Sequence, residues 1–216
     1  MPARLPARME DAGAFEPADG LRLEEHRIAD LDLTAARAEG LELRRCALVR
    51  VDLTGARLPR LSLGDVELSG CSLANVRAHR AELTRVGLRA SRLTGLELPE
   101  ATGSHVELRD CRADYASLRF ARLHQAVFED CSLAHADLGG ADLRGAVFRG
   151  CDLSGADLSG ARLQGASFAA CRFEGLQGVG GLRGAKLRWA DLIELAGVLA
   201  AEIGIEVLDE DEEEGG

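Results

Sequence analysis

The chain has 216 residues, of which 46% are hydrophobic, 29% charged and only 4% aromatic, so its core has to be built from aliphatic side chains. That balance is too apolar for wholesale disorder, and no uncharged apolar run reaches the length of a membrane-spanning helix. The formal charge of −10 invites a basic partner or mimicry of nucleic acid, yet Asp209 to Glu214 alone supplies −6, and residues 21–180 hold 21 Arg against 22 Asp plus Glu. The body of the chain is near neutral, and the acidity belongs to one end.

Residues 1–20 read as an N-terminal extension, partly disordered. They carry arginines but no apolar stretch of the kind a secretory leader needs, so the expected location is cytoplasmic, with Met9 as an alternative start to Met1.

From Leu21 to Gly180 the sequence divides into 32 units of five, and the third residue is Leu, Phe or Ile in 27 of them. The exceptions are Ala38, Ala78, Gly103, Ala113 and Gly178. All 28 Leu of this segment stand at first or third positions, and all six Cys at the first. A helical period of 3.6 or a strand period of two produces no such restriction. A spacing of two puts both apolar side chains on one side of a short extended stretch, and the other three residues turn the chain and face water. Four stretches close a square coil of twenty residues, so 160 residues stack into about eight coils, each residue lying roughly 4.8 Å from the one twenty places on. Columns at that spacing support the stack: Cys71, Ser91, Cys111, Cys131, Cys151 and Cys171 in one, Phe128, Phe148 and Phe168 in another. Larger first-position residues such as Leu31, Val51, Val66 and Leu96 in the first half predict looser packing there than in the Ala- and Cys-rich second half.

Residues 181–208 are expected to hold a final partial coil, a capping helix and a short strand over 205–208. The frame breaks at Gly178 to Gly181 and resumes one position early at Leu182, Leu187 and Leu192. A helix then runs from Trp189 to Ile203, with Gly204 as its stop. One stripe, Leu192, Leu195, Leu199 and Ile203, suits docking on the last coil, where a solenoid must cover its open end. A second stripe, Trp189, Ile193, Ala196, Gly197 and Ala200, is also apolar, which a simple cap does not need. The acidic tail, 209–216, is expected to be disordered.

The repeat resembles that of the pentapeptide repeat family, whose pattern of Ala or Cys, Asp or Asn, then Leu or Phe is matched at Ala136-Asp137-Leu138, Ala141-Asp142-Leu143, Cys151-Asp152-Leu153 and Ala156-Asp157-Leu158. The resemblance covers residues 21–180. It implies an all-β fold, a right-handed parallel quadrilateral β-helix with a C-terminal capping α-helix. It does not imply one function. Some quinolone-resistance members dimerise through a C-terminal helix, so the resemblance also suggests a homodimer through the second stripe.

No catalytic, metal or cofactor motif emerges. The cysteines lack CxxC spacing and an interior His nearby, and read as small buried hydrophobes. Of the five His, His26 has an interior phase; His79, His105, His124 and His135 face outward, His105 and His124 on one face. No P-loop or GxSxG is present, and a filled solenoid offers little concavity for acid and base chemistry. The candidate contact surface is a cationic strip, Arg37, Arg57 and Arg77 stacked in one column with Arg60, His79 and Arg80 beside it, neutralised in sequence only by Glu39, Glu97 and Glu100. The same face turns acidic further along, at Asp137 and Asp157. The expected function is that of a non-catalytic, rigid protein-interaction module with an unidentified protein partner. The alternative, implied by the resemblance, is a DNA-mimic-like modulator or protector of DNA gyrase, although mimicry needs an anionic body. Direct nucleic-acid binding is not expected, because Tyr115 and Phe120 are the only outward aromatics of the repeats and make no stacking platform.

Overall fold

A computed structural model describes residues 3–206. The acidic tail and the last two residues of the strand expected over 205–208 lie outside the described residues; Ile205 and Glu206 adopt no regular structure. The chain winds into a right-handed parallel β-helix of about nine turns, closed by a C-terminal helix. In order, the first strands are β1 (Glu10–Asp11), β2 (Arg22–Glu24), β3 (His26–Ala29), β4 (Glu42–Arg44), β5 (Ala47–Val49), β6 (Ser62–Ser69), β7 (Glu82–Arg89) and β8 (Thr102–Arg109). Then come β9 (Arg122–His124), β10 (Val127–Glu129), β11 (Val147–Arg149), β12 (Ser167–Ala169), β13 (Lys186–Leu187) and the helix α1 (Trp189–Glu202).

Units of five counted from Leu21 form four faces in turn, here faces one to four, and the fifth unit begins the next coil. The register is twenty: Leu63 pairs with Leu83, Val66 with Val86 and Leu68 with Leu88. Faces three and four carry single bridging pairs at the same spacing, such as Asp52 with Ser72 and Arg57 with Arg77. Hydrogen bonds slant between coils as parallel pairing requires: Asp52 N–H donates to the Leu31 carbonyl at 2.9 Å and Leu33 N–H to the Asp52 carbonyl at 2.7 Å.

First- and third-position side chains fill the interior from coil to coil. Phe128, Phe148 and Phe168 stack with centroids 4.7 Å apart and rings within 4° of parallel, which is the strand spacing expressed in aromatic rings. Gly103 breaks the Leu column for a steric reason. A Cβ there would lie 2.4 Å from the Leu83 carbonyl oxygen and 3.0 Å from Leu83 Cβ. The first half is the looser one, as its mixed first positions predict. An apolar cavity of about 60 Å³ runs among Leu33, Leu53, Leu58, Ala78 and Leu98, with Phe15 and Pro17 at its lower end.

Those last two residues belong to the N-terminal extension, part of which is ordered as a further partial coil. Glu10 and Asp11 pair with His26 and Arg27, and Phe15 is buried. Upstream, the Arg4 backbone N–H donates to Asp65 Oδ1 at 3.0 Å. Asp65 also receives Arg85 on both oxygens at 2.5 Å, so one carboxylate ties the N-terminal segment to the third coil.

At the other end, Gly178 takes the left-handed φ of +64°, and a Cβ on it would fall 2.4 Å from the Ser159 backbone nitrogen. The tight turn that follows shortens the register to nineteen, pairing Phe168 with Leu187. Helix α1 ends as its sequence predicts. With Gly204 at φ +76°, Gly204 N–H reaches the Ala201 carbonyl at 3.1 Å and Ile205 N–H the Ala200 carbonyl at 2.8 Å, a Schellman closure.

The docked stripe of α1 differs from the expectation. Leu195 is buried and Leu199 partly so, but Leu192 and Ile203 are exposed. Asp191, Leu195, Val198 and Leu199 face the last coil instead. The five-residue frame that points Leu192 inward stops applying once the backbone turns helical at Trp189, and at 100° per residue Leu192 swings out as Asp191 swings in.

Candidate interaction surfaces

The stacking of coils places Arg37, Arg57 and Arg77 in consecutive bridging pairs down face four, continuing to Glu97, Ser117, Asp137, Asp157 and Gln177. All three arginines are exposed. The neutralising carboxylates act as the sequence suggests. Glu39 pairs with Arg60, Glu97 with Arg77 at 3.2 Å and Glu100 with Arg80 at 2.9 Å. Among the described residues no ion pair reaches Arg37 or Arg57, two like charges one strand spacing apart. His79 is exposed beside them.

At the far end of this face Asp137 is held by Arg119 at 3.2 Å, while Asp157 Oδ1 accepts the Ser159 N–H at 2.8 Å. The Ser159 side chain first, and this N–H second, hold the Asp157 carboxyl below its ordinary range. The corners bordering face four carry the outward aromatics. Tyr115, 63% exposed, stacks on His135 with centroids 5.0 Å apart. Phe120 lies against Gly140, where a Cβ would meet its ring at 2.5 Å, and Arg119 sits 5.2 Å from its centroid.

The second apolar stripe of α1 points to solvent. Trp189 is 76% and Ile193 61% exposed; Ala196 and Gly197 are exposed and Ala200 half-buried. Leu192 and Ile203 join this stripe rather than the docked one. Among the described residues no helix is long and apolar enough to cross a membrane.

All six cysteines are buried and unpaired, and among the described residues no group of three His, Cys, Asp or Glu gathers around a point that would hold a metal. His124 lies opposite Ser104, next to His105. The cysteines do more than fill space. Residues opening faces four and one donate their N–H to the carbonyl three residues back, as Ala56 does to Leu53 and Leu61 to Leu58. The residue opening face three follows a different corner and has no such acceptor. Where the side chain one coil on carries an oxygen, its N–H turns to it, as Cys71 N–H does to Ser91 Oγ at 3.1 Å. The thiols in turn donate to carbonyls, Cys151 to Phe128 at 3.4 Å and Cys111 to Leu88 at 3.5 Å. Burial pushes the Cys46 and Cys71 thiols up, away from the thiolate that metal binding or nucleophilic attack needs.

The Arg122, Asp142 and Arg162 column alternates in sign as a bridging ladder, but the Asp142 carboxylate is taken chiefly by Arg144, at 2.7 and 2.8 Å. Arg162 stands 4.0 Å away. Asp142 is accordingly held below the usual carboxylate range, first by the Arg144 hydrogen bonds.

Residues 81–158 match the family described as pentapeptide repeat region. QnrB1, a plasmid-mediated fluoroquinolone resistance protein, is 20% identical over 89% of this chain and 100% of its own, with a TM-score of 0.37. HetL, a pentapeptide repeat protein involved in heterocyst differentiation regulation in the cyanobacterium Nostoc, is 26% identical over 81% of this chain and 92% of its own, with a TM-score of 0.35. A pentapeptide repeat protein of the Arabidopsis thaliana thylakoid lumen is 27% identical over 50% of this chain and 73% of its own, with a TM-score of 0.32. No curated protein matches the chain. The five-residue repeat, its register of twenty and the family match identify residues 81–158 as a pentapeptide repeat region.

Proposed function

We propose that the chain is a non-catalytic interaction module that engages a protein partner through face four. One observation carries the reading. Arg37 and Arg57 stack as exposed like charges without an ion pair among the described residues, while Glu39, Glu97 and Glu100 neutralise their neighbours. Like charges directly opposite across strands are destabilising, and the coil does not need them, since the same position is Glu, Ser, Asp or Gln farther along. A contact surface is the use for which they suit. The interior, packed with apolar side chains from end to end, supports the same reading against an enzyme. The test is capture of partners from the native host by the wild type and by Arg57→Glu with Arg77→Glu. Loss of a partner in the variant supports the reading, and identical captured sets overturn it.

The exposed stripe of α1 favours a second contact, a homodimer through Trp189, Ile193 and Ala196. Because the native thiols are buried, a single Ala196→Cys offers a selective trap: rapid interchain disulfide formation supports the pairing, and a persistently monomeric thiol counts against it. The gyrase reading has weaker support. Mimicry of duplex DNA needs an anionic surface, whereas acidic residues along this rod are interleaved with arginines, as in Arg50 with Asp30 and Arg85 with Asp65. A gyrase supercoiling assay with and without a fluoroquinolone decides it.

A further inference from the structure

We propose that the rod also pairs side by side with a second copy of itself, antiparallel, through face four. This rests on face four being a contact surface and names what covers it. The outward column of that face runs from Arg57 and Arg77 through Glu97 and Ser117 to Asp137 and Asp157, at one residue per coil. Such a sequence of charges is its own complement when reversed. A two-fold axis in the contact plane, crossing the rod between the coils of Glu97 and Ser117, sets Arg57 of each copy against Asp157 of the other. It also sets Arg77 against Asp137, and Glu97 against Ser117. The axis reverses direction along the rod but keeps lateral position across the face, so all these matches hold in one register, as an isologous interface requires.

Of the charges that meet, one pair is left over within each rod and the other is held there by surface ion pairs. Arg57 and Asp157 make no ion pair among the described residues, and Arg77 and Asp137 are held only by exposed partners. Shape follows charge in the same register. At the fourth and fifth positions of the units, His79 and Arg80 fall opposite Gly139 and Gly140, so the bulky half of the face meets the half that lacks side chains. Arg80 thereby arrives over Phe120, which covers Gly140 and is 57% exposed, a place where a cation meets an aromatic face. Eight coils at about 4.8 Å make a strip roughly 38 Å long. One short strand wide, it buries an area at the low end of specific interfaces, so the pair is expected to be weak and to loosen with salt.

The experiment is sedimentation equilibrium over a wide concentration range, at low and high salt, in a Trp189→Glu, Ile193→Glu background that silences the helix stripe. The expected result is a salt-sensitive dimer in that background. Arg57→Glu alone and Asp157→Arg alone each weaken it by about ten-fold or more, and the two together restore it, because the exchanged charges meet again across the axis. Restoration also shows that each variant is folded. A monomer at every concentration at low salt, or failure of the double exchange to restore pairing, overturns the proposal. If the rods stay monomeric while the Arg57→Glu, Arg77→Glu variant still loses a host partner, self-pairing falls and the contact reading of face four stands. If captured sets are unchanged while charge exchange restores the dimer, only the host-partner reading falls.

Discussion

Asp191 Oδ1 accepts the backbone N–H of Cys171 at 2.8 Å, twenty residues away in sequence, in the arrangement by which Ser91 Oγ accepts from Cys71 at 3.1 Å. The first turn of α1 thus supplies, with a carboxylate, the acceptor that Ser91 supplies with a hydroxyl within the coils. The helix covers the apolar cross-section with Leu195 and satisfies the last orphan N–H of face three with its neighbour in the same turn. A cap on a parallel solenoid has both tasks, because the final coil exposes polar backbone as well as side chains.

Replacing Asp191 by Ala leaves the Cys171 N–H buried with no acceptor. An unsatisfied buried backbone donor costs about 1–3 kcal/mol, and in a stacked-coil protein the loss is felt first at the end where it occurs. The Asp191→Ala variant is expected to speed hydrogen exchange at Cys171 and to lower the urea midpoint, while Asp191→Asn, which keeps an acceptor, recovers most of both. Unchanged exchange at Cys171 in the Ala variant would remove this account of the cap.

The cysteine column gives a sharper test, because two explanations order the variants oppositely. If Cys131 were only a small apolar filler, Ala would replace it with little loss and Ser would be the worse choice. If its thiol matters as the donor to the Glu129 carbonyl at 3.2 Å, Ser retains that bond and Ala does not. Chemical denaturation is expected to rank the wild type first, Cys131→Ser second and Cys131→Ala last, with Ala costing about 1–3 kcal/mol.

These two columns show what the repeat discloses and what it conceals. The five-residue phase of Leu and Cys reveals coils, core and register, because burial is periodic and hydrophobic side chains record it. The stacking of the cationic strip is equally legible, since residues twenty apart become neighbours, whereas which arginine each of its three carboxylates takes is seen only in the structure. The hydrogen bonding of the Cys thiols is hidden. Ala fills first positions on the other faces, so the slot looks merely small until the missing turn hydrogen bond before face three is seen, and on that face Ala never occurs in the first position. Leu192 misleads for a related reason. It keeps the five-residue frame in sequence, but the backbone has already changed period. The ordered part of the N-terminal extension was equally hidden, since Phe15, Glu10 and Arg4 follow no repeat.

The cavity in the first half should accept volume. Ala78 stands where most units carry Leu, and it borders about 60 Å³ of apolar space. Ala78→Val adds two methyl-sized groups toward that space, and at about 0.8 kcal/mol per carbon it is expected to stabilise the chain by roughly 1–1.5 kcal/mol. The same change at Ala113, in the tighter half, serves as the control and is expected to be neutral or destabilising, as overpacking is. A higher unfolding temperature for the first and not the second confirms the asymmetry of the core.

Acid should release the N-terminal segment before it unfolds the rod. The bidentate Arg85 hydrogen bonds hold the Asp65 carboxyl below the usual carboxylate range, against a smaller opposing effect of burial, and the Arg4 N–H adds to the lowering. A carboxylate whose folded pKa is depressed stabilises the folded state above its unfolded value, near 4, and that contribution disappears as pH falls through the folded value. Once protonated, Asp65 loses the Arg85 ion pair and weakens as an acceptor for Arg4, so the segment from Arg4 to Phe15 loses its tie to the third coil. Limited proteolysis near Arg8 is expected to accelerate as pH drops below about 4, at acidities where the coils still resist cleavage. In Asp65→Asn that step vanishes, because the tie is already weakened at neutral pH, and cleavage is faster throughout. A wild type whose segment stays protected until the whole chain unfolds would mean that Phe15 alone, rather than Asp65, holds it in place.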